Sequence, residues 1–246
     1  MPKFFVVSDI HSFYEEFRES LNAAGFDRDN KDHWLVTCGD HFDRGRQSDE
    51  VMRYLFNLPR KILVRGNHEL LLTECLERGY PLYHDVSNGT AQTVMDLAGI
   101  DVDEFDIACT RIYPRVKKFV DQTVNYFETK NYIFVHGWIP LKDFQFNPDW
   151  REAHQSEWDK AMWKNGMEMA MRGFVEPGKT IVCGHFHASW GHHKKDRSPE
   201  WGNGANFKPY YSDGIIAIDA CTAYSGKCNV IVLEDEFLED DKYGNN

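Results

Sequence analysis

Residues 34–45 read Trp34-Leu35-Val36-Thr37-Cys38-Gly39-Asp40-His41-Phe42-Asp43-Arg44-Gly45, an apolar run that stops abruptly in glycine and charge. Short apolar runs bounded by turn residues read as buried strands. The same break recurs along the chain. Phe4-Phe5-Val6-Val7 leads to Asp9 and His11, and Ile62-Leu63-Val64 to Arg65-Gly66-Asn67-His68-Glu69. Ile133-Phe134-Val135 leads to His136, and Ile181-Val182 to Gly184-His185-Phe186-His187. In an open α/β sheet, ligands gather outside the carboxyl ends of the strands, so residues far apart in sequence converge on one point. Asp, His and Asn suit hard or borderline divalent metals, and the set implies a two-metal hydrolytic centre.

Between the first three strands the period changes. Phe13, Phe17, Leu21 and Ala24 mark one amphipathic helix, and Val51, Tyr54, Leu55 and Leu58 a second that Pro59 ends. A third helix is expected from Glu69 to Arg78, stopped by Gly79. The order β-α-β-α-β predicts parallel strands joined by right-handed crossovers. Residues 80–130 read as a helical insertion, clearest over Ile112, Val116, Phe119, Val120 and Val124. It either roofs the site or simply covers the sheet. Further strands are expected at Tyr132–Val135, Thr180–Cys183, Ile215–Ile218 and Val230–Leu233, with a Trp-rich helical stretch from Trp150 to about Arg172. Residues 191–214 read as a long loop, and the acidic tail from Glu234 is expected to fray.

The 246 residues are read as one domain, and 42% apolar and 14% aromatic content suffices for a packed core. A formal net charge of −11 argues against nucleic acid or anionic membrane as a general partner. Two divalent cations would cancel about four of those charges. The first apolar run is too short for a signal-peptide core, and no stretch approaches the ~20 apolar residues of a membrane span. The six cysteines form no CxxC motif and read as reduced thiols of a cytoplasmic protein.

Each motif has an alternative. Asp9 alone is a turn former, His136 or His185 alone a structural histidine, and Glu69 a helix-starting acid. The weight lies in all five occurring in order, each at a strand end. Asp9 with His11, and His185 with His187, share one side of an extended segment.

Together, Asp9-x-His11, Gly39-Asp40-x-x-Asp43-Arg44-Gly45, Gly66-Asn67-His68-Glu69, His136-Gly137 and Gly184-His185-x-His187 resemble the calcineurin-like metallophosphoesterases over residues 4–233. Asp43-Arg44-Gly45 and Arg65-Gly66-Asn67-His68-Glu69 look like the phosphoprotein phosphatase branch, which includes serine/threonine phosphatases and symmetrical diadenosine tetraphosphatases. The resemblance implies an α/β fold, a β-sandwich of two mixed sheets flanked by helices. It implies a hydrolase in which a metal-bridging hydroxide attacks phosphorus in line. The substrate would be a phosphoprotein, phosphopeptide or nucleotide. Asp9, His11 and Asp40, joined by His187, would hold one metal. Asp40 would bridge to a second held by Asn67, His136 and His185. The ions would be Mn, or Fe, Zn or Ni. His68 would be the general acid, oriented by Asp43, and Arg44 and Arg65 would grip phosphate. A serine/threonine phosphatase is the leading reading, a dinucleoside tetraphosphatase the alternative, and a non-catalytic binding module the third. Three places depart from the family pattern: Ser12 after His11, Trp138 after His136-Gly137, and Trp163-Lys164-Asn165 where relatives carry a further arginine. Trp138 is expected to narrow the pocket, and Lys164 or Arg172 to replace the arginine. His192-His193-Lys194-Lys195 reads as solvated loop.

Overall fold

The computed structural model describes residues 1–99 and 104–238. The chain opens with strand β1 (Lys3–Val7), helix α1 (Tyr14–Ala23), β2 (His33–Cys38), α2 (Ser48–Phe56), β3 (Lys61–Val64) and α3 (Asn67–Arg78). Then come α4 (Tyr83–Asn88), α5 (Thr90–Ala98), α6 (Phe105–Val120), β4 (Thr123–Val124), β5 (Phe127–Glu128) and β6 (Tyr132–Phe134). After a two-stranded ribbon, β7 (Leu141–Lys142) and β8 (Gln145–Phe146), follow α7 (Gln155–Ala161), α8 (Gly166–Met171), β9 (Thr180–Cys183) and α9 (Ala188–Asp196). The described chain closes with β10 (Tyr210–Ser212), β11 (Ile215–Ala217), α10 (Thr222–Ser225) and β12 (Ile231–Glu234).

Two mixed sheets pack face to face. One has the order β12-β1-β2-β3-β4, the other β10-β11-β9-β6-β5. The strands β1, β2 and β3 are parallel, as are β11, β9 and β6, and antiparallel strands close the outer edges at β12, β10 and β5. Alternation of side chains along each strand explains why these runs are apolar throughout. Phe4, Val6, Val36, Ile62 and Val64 meet Phe134, Val182, Ile216 and Ile218 between the sheets. Phe5, Val7, Leu35 and Leu63 face the other way, under α1, α2, α3, α5 and α6. Ile133, Val135, Ile181 and Ile215 face outward under Trp138, Trp150, Trp158 and Met167. All six cysteines are free thiols, five of them buried. Among the described residues no helix is long and apolar enough to cross a membrane.

Several expectations change. The helix predicted to reach Val124 stops at Val120, and Val124 lies in β4 beside β3. The third helix starts at Asn67 rather than Glu69, because Glu69 turns back to cap it. The stretch after Trp150 is broken into a 3₁₀ turn and two short helices, the second capped by the Asn165 side chain. The 191–214 segment is no loop throughout. It contains most of α9, whose buried residues are the small Ala188, Ser189 and Gly191, so no apolar period betrays it. It also contains β10, which pairs with β11 through the two-residue turn Asp213-Gly214, a hairpin signal of the Asp-Gly type. The segment after Glu234 is anchored as far as Phe237, whose ring packs on Phe4 and Trp34. The remainder of the expected acidic tail lies outside the described residues.

Phe4 lies fully buried between the sheets with its ring 5.2–6.3 Å from those of Phe127, Phe134 and Phe237. Phe4→Ala is expected to cost about 3–5 kcal/mol. A lowered urea midpoint at unchanged m value is the expected result, and an unshifted midpoint would contradict this packing.

Candidate metal centre

The parallel strands deliver their following loops to one edge of the sandwich, and the Asp40 carboxylate sits at the meeting point. Its Oδ2 lies 3.6 Å from His11 Nε2 and 3.8 Å from His68 Nε2, and its Oδ1 lies 3.3 Å from His136 Nε2. Donor atoms of His11, Asp40 and His68, and separately of Asp40, His136 and His185, fall within 4.8 Å of one another. Asp9 Oδ1 is 3.9 Å from His11 Nε2, and Asp9 accepts the His185 backbone N–H. Asn67 Oδ1 lies 2.8 Å from His136 Nε2.

The ring orientations aim particular nitrogens at the centre. His11 Nδ1–H donates to Phe42 O and His136 Nδ1–H to Cys38 O, so each turns Nε2 into the centre. His11 Nε2 is fully buried and has no hydrogen-bond partner. A buried polar atom left so costs free energy unless something else satisfies it. The distances to Asp9 and Asp40 exceed a hydrogen bond but leave room for a cation between. This orphaned nitrogen and the O/N donor set fit a divalent metal.

Backbone geometry is unusual here. Asp9, His11, Asp40, Asp43, Arg44 and His185 all have left-handed φ values between 49° and 74°. Two glycines permit close approaches. A Cβ on Gly66 would stand 2.2 Å from Asp40 Oδ1, and one on Gly184 2.1 Å from Asp9 Oδ2.

His68 has a second arrangement. Its Nδ1–H donates to Asp43 Oδ2 at 2.7 Å. Asp43 is fully buried and also accepts from Thr90 Oγ1 at 2.6 Å and Thr93 Oγ1 at 2.8 Å. Both threonines belong to α5. One part of the insertion therefore buttresses the site while α6 covers the sheet.

Protonation follows from burial and neighbours. Burial would raise Asp40, but the charges of His136 and His68 outweigh it and hold the carboxyl well below its ordinary value. Burial would lower His136, yet Asp40 and then Asp9 push it up to about 10. The same contest, with the Asp43 hydrogen bond added, raises His68. Burial lowers His11, reinforced by Arg44, and lowers His185 to about 3, reinforced by His136. Burial thus favours the neutral form of His11 and His185, while the carboxylates favour the charged form of His68 and His136.

Not every expected residue joins. His187 Nδ1 is bonded to Ser189 Oγ, and its Nε2 lies 3.5 Å from Glu200. The Arg65 guanidinium donates to Thr123 Oγ1 and Val120 O. Arg44 is exposed, but its charge reaches His11 and His68. The departures are structural. Ser12 bonds Ser48, and Trp138, far from narrowing a pocket, is buried with its indole N–H on Phe174 O. Arg172 pairs with Glu168 at the surface, and Asn165 is spent on its helix cap.

Other residues were missed. Asp219 follows β11 as the other acids follow their strands. It is buried, and burial raises it to about 6 while its charge raises Asp9. The apolar run Ile215–Ile218 was its signal. Thr90 and Thr93 had none, since threonines at helical spacing are common.

Residues 2–203 match the model of the calcineurin-like phosphoesterases. The chain belongs to the calcineurin-like phosphoesterase family. It is 44% identical over 69 residues to a symmetrical bis(5'-nucleosyl)-tetraphosphatase of Buchnera aphidicola, covering 28% of this chain and 24% of that protein. It is 39% identical over 74 residues to serine/threonine-protein phosphatase 2 of Escherichia coli, covering 30% and 33%. The chain thus spans about a quarter to a third of the curated relatives it matches. A crystal structure provisionally assigned as a diadenosine tetraphosphatase superposes with TM-score 0.57 at 17% identity, covering 97% of both chains. That likeness establishes the shared metallophosphoesterase fold.

A cation accepted by His136 Nε2 must displace the proton held there at neutral pH. Mn²⁺ affinity is therefore expected to rise with pH from 6 to 8, with release of about one proton or more per chain. Calorimetry in buffers of different ionisation enthalpy reads that number directly. Proton-neutral binding would exclude His136 as a ligand.

Proposed function

We propose that the chain is a metal-dependent phosphoester hydrolase. The carrying observation is the Asp40 carboxylate ringed by His11, His68, His136 and His185, with His68 locked to Asp43. Asp9, His11 and Asp40 would hold one divalent cation, and Asp40, Asn67, His136 and His185 a second, with Mn the first choice and Fe, Zn or Ni also compatible. Bound there, such cations supply Lewis acidity and a water of lowered pKa for in-line attack on phosphorus. His187 is left out of this set, since both its ring nitrogens face Ser189 and Glu200.

The chain's own groups do the rest. With Nδ1–H committed to Asp43, the proton that the charged His68 ring would give up is the one on Nε2. As the P–O bond breaks, that proton passes to the leaving oxygen. Asp43 keeps the ring charged and oriented, and the two threonines keep Asp43 in place. Arg44 supplies positive charge to the phosphate oxygens. Arg65 would have to leave Thr123 and Val120 to do the same.

Two substrate classes follow. Asp43-Arg44-Gly45 and Arg65-Gly66-Asn67-His68-Glu69 support a phosphomonoesterase of serine/threonine protein phosphatase type. Arg172 is paired with Glu168 at the surface, which leaves Lys164 as the candidate for that type's further phosphate contact. The name of the Buchnera relative supports the second class, dinucleoside tetraphosphates. The free, mostly buried thiols fit a reducing, cytoplasmic setting.

Mn²⁺-dependent hydrolysis of p-nitrophenyl phosphate is expected, with Asp40→Asn lowering kcat by about 10²–10³ or more. Equal activity in both proteins would sink the two-metal reading. His68→Asn should cost about 10²–10⁴ on an alkyl phosphate and distinctly less on p-nitrophenyl phosphate. Equal losses on the two would remove His68 as the acid.

A further inference from the structure

Helix α9 and strand β10 leave the centre's edge together. β10 is antiparallel to β11 with Tyr210 opposite Ala217, so Lys208 stands at the end of the sheet where Asp219 leaves β11. α9 begins at the same edge, directly after His187, and its Ala188 N–H donates to Asp219 O. From there it runs down the flank of β10. His192 Nε2–H donates to Lys208 O, and Lys195 Nζ to Tyr211 O. α9 thus covers the outer strand, and a partner on this flank meets side chains rather than a free strand edge.

What the flank presents is positive. Lys194, Lys195, Arg197 and Lys208 are exposed, and none of them is in an ion pair among the described residues. By contrast, Lys3 pairs with Glu234, Arg53 with Asp49, Lys117 with Asp121, Lys130 with Glu236 and Arg172 with Glu168. The unpaired cations stand out further on a chain of net charge −11. The acids nearby are engaged: Asp196 accepts the Ser198 N–H, and Glu200 lies 3.5 Å from His187. Cations in the last turn of a helix suit its dipole, which accounts for Lys194 and Lys195. It does not account for Lys208, brought up from another segment. The long stems are also held in place. Lys194 Nζ lies 5.3 Å from the ring centre of Trp190, and Lys195 Nζ 5.5 Å from that of Tyr210. At the start of α9, Trp201 packs on His187 with ring centres 4.3 Å apart and on Tyr224 at 5.3 Å. Both Trp201 and Tyr224 are half-exposed, a ledge of apolar surface beside the charge.

We propose that this flank docks an acidic segment of a phosphoprotein substrate, with carboxylates on Lys194, Lys195, Arg197 and Lys208 and an apolar residue on the Trp201–Tyr224 ledge. The inference rests on the hydrolase reading and selects its phosphoprotein class. From His187 to Lys195 the helix runs roughly 12 Å, a span that about four extended peptide residues cover. The acidic segment is therefore expected roughly four to six residues from the phosphoserine. Exposed charges of this kind act mainly on capture and orientation of the partner. A long single-stranded nucleic acid would have to cross the rest of an acidic surface, which a short acidic segment does not.

The test compares two phosphoserine peptides that carry a run of Glu or a run of Gln at that spacing, with p-nitrophenyl phosphate as the reference. The variants are Lys194→Gln combined with Arg197→Gln, and Lys208→Gln alone. Lys195 is kept to hold Tyr211. For the wild type at low salt, kcat/KM for the Glu peptide is expected to exceed that for the Gln peptide about tenfold, since each exposed charge pair is worth roughly a few-fold. The difference should lie mainly in KM and fade at high salt. Each variant should cut the preference to about threefold or less and leave p-nitrophenyl phosphate hydrolysis unchanged. A wild type without the preference overturns the docking surface, as does a preference that either variant leaves intact. A single-stranded oligonucleotide that binds more tightly than the Glu peptide, and is lost in the same variants, overturns it in favour of nucleic acid. If the wild type does not hydrolyse p-nitrophenyl phosphate, the hydrolase reading fails instead. Fluorescence anisotropy of the unphosphorylated Glu peptide then decides the surface alone: binding lost in the variants supports it, and binding absent or unchanged overturns it.

Discussion

The buried carboxylate of Glu69 joins two strand ends into one site. Its Oε2 accepts from the backbone N–H of Asp40 and of Gly66, and its Oε1 from that of His41. The loop after β2 and the loop after β3 thus share one acceptor. A second tie runs back, since the His68 N–H donates to Asp40 Oδ1. Burial would raise the Glu69 carboxyl, but the neighbouring His41, 3.1 Å from its Oε1, holds it below its ordinary value. With these bonds in place Asp40 has one position. The neighbouring histidines, Asp43 and Arg44 are located relative to it. Glu69 is a helix cap as well, so one side chain both begins α3 and sets the spacing of the centre.

Much of this was legible because a strand end is a sharp event in sequence. Asp9, His11, Asp40, Asn67, His68, His136 and His185 each follow an apolar run and are brought together. His187 shows the limit of the side-by-side argument. It starts α9, and the turn into that helix carries its ring away toward Glu200 and Trp201. Asp219 is readable by the same rule, at the end of the apolar run Ile215–Ile218. Thr90 and Thr93 act through hydroxyls on a helix whose placement depends on tertiary packing. No local pattern encodes that they face Asp43. Helix α9 was hidden for the opposite reason: its contacts use small residues, so close packing leaves no apolar stripe.

Strain and rigidity go together at this edge. Six site residues hold left-handed backbone angles, and each non-glycine residue there carries a cost of order 1–3 kcal/mol. Such angles persist only where the surroundings over-determine them. The two stacked sheets and their helical covers do that, through bonds such as Asp9 N to Gly39 O and His11 N to Asp40 O. The gain is geometric. Turning the backbone left-handed points short Asp and His side chains inward from loops that would otherwise carry them past one another.

The seam between β1 and β12 has a temporal meaning. Lys3 pairs with Glu234, Val6 with Ile231, and the Thr222 hydroxyl caps the Asp9 carbonyl. The earliest described strand is therefore flanked on one side by the last described one. During synthesis the early β-α-β-α-β segment emerges with most of its donors but without that outer rail. Contacts of such long sequence separation form slowly. If Asp9 holds a cation as proposed, its donor set stays incomplete until the segment carrying Thr222 has emerged. Seating of that cation would then be coupled to closure of this sheet edge.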